Sequence, residues 1–319
     1  MGLPFFSVAG IVPVLDCVQV SALGSISLLA QAPAISGTPA DFSGASDAGT
    51  VLGAFIAAPT VVATDFCGSA LPLVTLVTYP DASTASAWPA SGMFPVGVTT
   101  IKWTTTDALN QVTSITRTVT VSDYQLLDLT VNLFGSISQN STRTVRIKIG
   151  AISQLHEVVT VAGVGTVTGI QVPVVGSIPC LLAKDILHSV SNAASASVVG
   201  VRYAASVVLT RGDSNDDDLI DILDFGNFLG DRGGDATRRG CSNFNPDLAV
   251  NNGDFSFISL RVLLTGHTCG TFDALGQPLS RISVRELRRR GLGNMTKADF
   301  NQDGWVETTD MTIYMQGCR

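Results

Sequence analysis

The chain has 319 residues, enough for two or three domains. Its formal net charge of −7 argues against a nucleic-acid partner, and its low charged fraction of 14%, with much Gly, Ser, Thr, Val and Ala, is the palette of turn-rich all-β modules. No Lys or Arg precedes Lys102, whereas most Asp and Arg residues follow Arg211, so a neutral β-rich body is set apart from a charged C-terminal part.

Residues 1–32 are apolar and contain no basic residue. Ala30-Gln31-Ala32 has the small-x-small form of a signal cleavage site, yet Pro13 and Asp16 interrupt the apolar run. An export leader and the remnant of a preceding module both stay open. No later run of about 20 apolar residues is unbroken, so no membrane span is expected after it.

Residues 33–122 alternate short β-prone runs with Gly, Pro, Asp and Ser clusters. Val74–Tyr79, Thr99–Thr104 and Ser114–Val121 read as strands, the last with Ile115, Arg117, Val119 and Val121 alternating against Ser114, Thr116, Thr118 and Thr120. Several such strands predict a β-sandwich. Trp103 is expected in its core. The stretch Phe94-Pro95-Val96-Gly97-Val98-Thr99, running on to Thr106-Asp107-Ala108, with Ala63-Thr64-Asp65-Phe66-Cys67-Gly68 upstream, resembles the hyalin repeat (HYR) module. That resemblance covers about ninety residues and implies an immunoglobulin-like fold used as an extracellular adhesion or spacer unit. Thr38, Val51, Trp103 and Thr116 or its neighbours stand where some of that family's cysteines are expected, which leaves Cys67 without an obvious local partner.

Residues 123–210 read as a second immunoglobulin-like or prealbumin-like sandwich, with strands at Leu126–Phe134, Val145–Ile149, Val158–Val161, Val167–Val174 and Val198–Leu209. His188 with Asp185, and His156 beside Glu157, are read as strand-end or solvated pairs rather than catalytic groups. Asn140-Ser141-Thr142 fits the glycosylation triplet, a short pattern that chance supplies often.

Residues 211–319 carry three loops with the spacing of an EF-hand calcium site, oxygen ligands at positions 1, 3, 5, 9 and 12 and a backbone carbonyl at 7. The first is Asp213, Asn215, Asp217, Leu219, Asp221 and Asp224; the second is Asn243, Asn245, Asp247, Ala249, Asn251 and Asp254. The third is Asp299, Asn301, Asp303, Trp305, Glu307 and Asp310, with Gly304 at the turn position 6. Five such residues at fixed spacing arise by chance in about one window in 10^5, so three in one third of a chain point to Ca2+. Asx-turns capping helices without metal are the plain alternative. Helical stretches are expected after each position 12, at Phe225–Leu229, Phe255–Leu264 and Met311–Gln316, and another at Ser283–Arg290. The stretch before Ser283, with Asp273 and Gln277, reads as a metal-free partner of the third loop. Arg285, Arg288, Arg289 and Arg290 read as a solvated basic face.

The first two loops begin thirty residues apart and carry Asp at position 12, and on those residues the region resembles the dockerin type I module. The resemblance implies docking to a cohesin-like protein partner, as in extracellular polysaccharide-degrading assemblies. The longer, charged Gly230–Gly240 linker and the third loop depart from it.

Six cysteines form no CxxC pair, so zinc and thioredoxin-type readings are weak, and disulfides outside the cytoplasm are permitted. Cys241 and Cys269 flank the second loop and are a candidate pair, with buried thiols as the other option. No GxSxG, HExxH, P-loop or Rossmann pattern occurs. The expected protein is a non-catalytic extracellular chain: two immunoglobulin-like β-sandwiches, then a small helical calcium module that docks a partner. A calcium-stabilised cap without such a partner is the alternative.

Overall fold

The computed structural model describes residues 18–20, 26–28, 31–49, 51–135, 140–173, 176–186, 188–236, 242–247, 249–270 and 276–317. Most of the apolar stretch 1–32, and also Cys17, Cys241, Cys318 and Asp273, lie outside them. Of the described residues, 46% are strand and 15% helix. It divides into two compact units, Met1–Asp47 with Val51–Gln125, and Ala48–Thr50 with Leu126–Arg319.

The first unit opens with an antiparallel pair, β1 (Val18–Val20) and β2 (Ile26–Leu28). In chain order follow β3 (Ala34–Ser36), β4 (Phe42–Ser46), β5 (Gly53–Phe55), β6 (Val62–Thr64), β7 (Ala70–Leu71), β8 (Leu73–Thr78), β9 (Thr84–Ala85), β10 (Met93–Pro95) and β11 (Gly97–Thr106). Then comes the long β12 (Val112–Leu133), whose last residues belong to the second unit. β11 lies between β8 and β12, antiparallel to both, and β4 runs parallel to β12. The period-2 pattern explains the burial: Thr99, Ile101, Trp103 and Thr105 point inward along β11, while Val98 and Lys102 face out. Trp103 is buried and stacks on Trp88 at 6.4 Å, within a core that includes Val77, Phe94, Val119 and Val121. Cys67 is disulfide-bonded.

The second unit continues with β13 (Ser141–Ile149), β14 (Ile152–Thr160), β15 (Val164–Val172), β16 (Ile178–Asp185), β17 (Asn192–Val199) and β18 (Arg202–Leu209). Their order is β14-β13-β16-β17-β18-β12-β15, a sandwich-like arrangement closed over Leu127, Leu129, Val131, Ile147, Ile170, Leu181, Tyr203 and Leu209. One strand expectation needs correction. Val198–Leu209 is a hairpin, broken at Gly200, where φ is +61°. β16 had no sequence signature, because Pro179, Cys180, Lys184 and Asp185 interrupt its apolar run. It is nonetheless buried from Leu182 through Asp185.

The C-terminal residues of the same unit hold β19 (Leu219–Ile220), α1 (Ile222–Asp231), α2 (Asn252–Ser259), β20 (Leu264–Thr265), β21 (Arg281–Ser283) and α3 (Val284–Arg289). A 3-10 turn at Gly293–Ala298, β22 (Trp305–Glu307) and α4 (Thr308–Gly317) complete it. The helices after the loops start two or more residues before position 12, not after it, and α2 ends at Ser259, well short of Leu264. Phe225 and Phe228 of α1, Phe255 of α2 and Tyr314 of α4 form the centre of the core, with ring centroids 4.8–5.9 Å apart.

The strand layer and these helices are tied together three ways. The disulfide is Cys180–Cys269, not Cys241–Cys269. Its pairing is a matter of spatial proximity, since β16 brings the two Cα atoms to 5.7 Å across 89 residues of sequence. Arg211, fully buried, donates to the carbonyl of Phe134 at the end of β12 and to that of Phe244, and lies 4.0 Å over the Phe257 ring. Lys184 of β16 reaches Asp213 at 2.8 Å.

Candidate metal centre

The three loops repeat one hydrogen-bond lattice. In each, the position-12 aspartate (Asp224, Asp254, Asp310) is fully buried. One carboxylate oxygen accepts the N–H of position 2, from Ser214, Phe244 and Phe300, at 2.7–2.8 Å. The other accepts the N–H of position 9, from Asp221, Asn251 and Glu307, at 2.8–3.0 Å. The reason is local. Position 9 is the N-cap of α1 and α2 and position 12 is N3, so the short side chain reaches back as a capping box. The position-3 amide (Asn215, Asn245, Asn301) donates to the position-5 carboxylate (Asp217, Asp247, Asp303) at 2.8–3.0 Å. That carboxylate also accepts the N–H of position 7, from Leu219, Ala249 and Trp305, at 2.8–3.0 Å. Each chain segment therefore wraps round with positions 1, 3 and 5 on its inner side.

Short strands brace two of the loops. β19 of the first loop pairs with β20, and β22 of the third pairs with β21, matching Ile282 to Val306. The segment before α3 is thus the partner of the third loop, as its position in sequence suggested. Ser283 and Glu286 repeat there the N-cap and N3 placing, and Leu279 donates its N–H to Asp221 at 2.8 Å.

Position 1 distinguishes the loops. Asp299 is half-buried and accepts from Asp303 and Gly304 at 3.1 and 3.0 Å. Asn243 is buried, and its Oδ1 has no hydrogen-bond partner. Asp213 is fully buried beside Lys184. Burial pushes Asp213 up to about 6, with Asp217 adding like-charge repulsion and Lys184 opposing. Burial also raises Asp221, Asp254 and, most strongly, Asp224, which Asp213 pushes further in the same direction. Burial pulls the Lys184 ammonium down, but Asp213, Asp216 and Asp218 outweigh it and leave it raised.

Among the described residues, no three His, Cys, Asp or Glu side chains gather as a metal cluster. The loops' donor sets are of another kind, two to four carboxylates mixed with one to three amide oxygens and one backbone carbonyl. That mixture suits a hard cation with about six to eight oxygen ligands. Two observations fit it: the unpartnered Asn243 oxygen, and the acids of the first loop that repel one another in a buried setting.

Several site residues carried no sequence motif. Lys184, Arg146 and Ser191 all meet the first loop. A signal existed in hindsight: Asp216 and Asp218 are acids at positions 4 and 6, which a calcium loop does not use as ligands, and Lys184 is one of only four lysines. His188 Nδ1 lies 3.0 Å from the Ile186 carbonyl and 3.6 Å from Asp185, the strand-end arrangement expected for it. His156 meets Gln154 at 3.1 Å.

No protein-family model matches the chain, and no curated protein matches it. Among solved structures, it is similar to a tetra-tandem repeat in the extending region of a large adhesion protein. The identity is 11% and the TM-score 0.19, over 61% of this chain and 54% of that one. It is also similar to the Bacillus anthracis TIE protein, at 9% identity and a TM-score of 0.24, over 58% of this chain and 41% of that one. The chain spans about half the length of these structures or less, and at such TM-scores the likeness carries no argument.

Proposed function

We propose that this is a non-catalytic, extracellular modular protein whose residues 211–319 fold around Ca2+ and form a calcium-stabilised cap on the preceding strands. The observation that carries the reading is the lattice repeated around Asp224, Asp254 and Asp310, which presents the same oxygen positions three times. Residues Asp213, Asn215, Asp217 and Asp224 would hold one ion, and Asp299, Asn301, Asp303 and Asp310 another, with the Leu219 and Trp305 carbonyls. Asn243, Asn245, Asp247 and Asp254 form the weaker set, with fewer acids. Calcium supplies the charge that lets converging carboxylates share a small volume, so its binding free energy adds to folding. The cap is supported by Lys184, Arg211 and the Cys180–Cys269 bond, all of which link the helices to the strands. Phe225, Phe228, Phe255, Phe257 and Ile258 are buried within a core made by residues 220–314 together with Val190, which holds these helices to one another. A disulfide is at home in an oxidising, extracytoplasmic setting.

A second reading, docking of a cohesin-like protein partner, is favoured by Phe300 and Trp305 at 39% exposure and Met315 at 46%, clustered in the third loop and its helix. No enzyme activity is proposed. In either case the strand-rich parts serve as adhesion or spacer modules. Calcium titration of the metal-free chain, by calorimetry alongside thermal unfolding, tests the common premise. Two or three ions with a marked rise in Tm are expected. Absence of binding at millimolar calcium sinks it and leaves capped helices on a β-rich body.

A further inference from the structure

We propose that Lys184 is a built-in counter-cation of the first loop, which holds Asp213–Asp224 in calcium-loop form without metal and makes this loop's calcium affinity weaker than the third loop's. The inference rests on the calcium reading above and adds a rank order among the loops.

The geometry is one-sided. Lys184 Nζ, buried on β16, lies 2.8 Å from Asp213 Oδ2, 2.9 Å from Asp216 Oδ1 and 3.5 Å from Asp218 Oδ1. Arg146 adds a second cation on Asp216 at 3.2 Å. Asp218 also accepts the N–H of Ser191. Asp213 at position 1 thus shares Lys184 with Asp216 and Asp218 at positions 4 and 6, while Asp217 at position 5 is bonded to the Asn215 amide and the Leu219 N–H, and Asp224 at position 12 to the N–H groups of Ser214 and Asp221. Asp218 occupies the place where the third loop has Gly304, and it takes the left-handed φ of +68° that glycine takes more readily. Its bonds to Lys184 and Ser191 offset that backbone cost.

Two consequences share one sign. Without Lys184, Asp213, Asp216 and Asp218 would lack their main counter-charge in a mostly buried site, so the metal-free loop would open. With Lys184 in place, a calcium ion held by Asp213 must sit close to an ammonium in a poorly screened setting, which repels it. Removing the ammonium therefore favours the metal-bound form on both counts. The third loop has no such device: Asp299 is half-buried and Asp303 exposed, and among the described residues no ion pair reaches either.

Hydrogen exchange read by mass spectrometry on the full chain in chelator tests the first half. Amides of Asp216, Asp218 and Leu219 are expected to exchange at least tenfold more slowly than those of Asp303, Gly304 and Trp305. Lys184→Met is expected to erase that gap, and Lys184→Arg to restore it. Calorimetric calcium titration in an Asp299→Ala background, which silences the third loop, tests the second half. Lys184→Met is expected to tighten the remaining strong step by about tenfold. Lys184→Gln, with the same expected direction, covers the case in which methionine does not fold. Unchanged protection of the first loop in these variants, or unchanged or weakened calcium binding, overturns the proposal while leaving the calcium reading intact. Absence of calcium binding by the unaltered chain overturns both.

Discussion

Asp310→Ala separates a calcium loop from a helix cap that merely has its spacing. The Asp310 carboxylate is fully buried and accepts the N–H groups of Phe300 at 2.8 Å and Glu307 at 2.9 Å, with a longer contact to Asn301 at 3.4 Å. Hydrogen bonds to a charged acceptor contribute about 1.5–3 kcal/mol each, so losing the two short ones costs about 3 kcal/mol at the low end of that range. This loss is present with or without metal. If the loop also binds calcium, the unaltered protein gains about 2.7 kcal/mol more when free calcium is at 100 times its Kd, and the variant forfeits that as well. The expected destabilisation is thus about 3 kcal/mol in chelator and about 6 kcal/mol in calcium. Asp299→Asn is the companion, because the amide keeps one acceptor for Asp303 and gives up the bond to Gly304. It should cost roughly 1 kcal/mol in chelator and approach the full linkage loss in calcium. Scanning calorimetry of the whole chain in both buffers gives the comparison, following the transition that calcium moves in the unaltered protein. Equal destabilisation by Asp310→Ala in the two buffers refutes the metal and leaves the cap.

Three further outcomes follow from the packing. Replacing Cys180 and Cys269 by Ser removes a cross-link closing 89 residues, which the chain-entropy relation values at about 4–5 kcal/mol, measured by urea unfolding of the second unit. Phe225→Ala empties a fully buried site between Phe255 and Tyr314, with an expected loss of about 3–5 kcal/mol in chelator and calcium alike. Hydrogen bonds from Arg289, then those from Arg290, hold the Glu286 carboxyl down at about 2. A depressed acid contributes its stability above its unfolded value and loses it as pH falls through the folded one, here between about pH 4.5 and 2. An NMR titration should find the Glu286 midpoint near 2 at low salt. It should climb toward the ordinary range in about 1 M salt, because the pair is exposed and screened.

The sequence by itself determined whatever depends on neighbours along the chain. Period-2 alternation in Ser114–Val121 put Val119 and Val121 in the core, and Trp103 was legible as a core residue from its strand. The spacing of Asp299, Asn301, Asp303, Glu307 and Asp310 encodes a lattice whose bonds span two to ten residues, so it formed three times over in one pattern. The helices start before the apolar run because the position-12 acid caps from inside the first turn. Only the tertiary structure decided what requires distant segments to meet. β16 has no alternation from Leu181 to Asp185, where every residue is buried, and its buried lysine and half-buried cysteine interrupt the apolar run. Its place beside the first loop turned Lys184 into that loop's counter-ion and Cys180 into the partner of Cys269. Asp216 and Asp218 read as surplus acids along the chain, and they acquire a purpose only against Arg146, Lys184 and Ser191. Charge pairing and disulfide choice depend on distance in space, and a one-dimensional pattern records distance only where the chain is short between the partners.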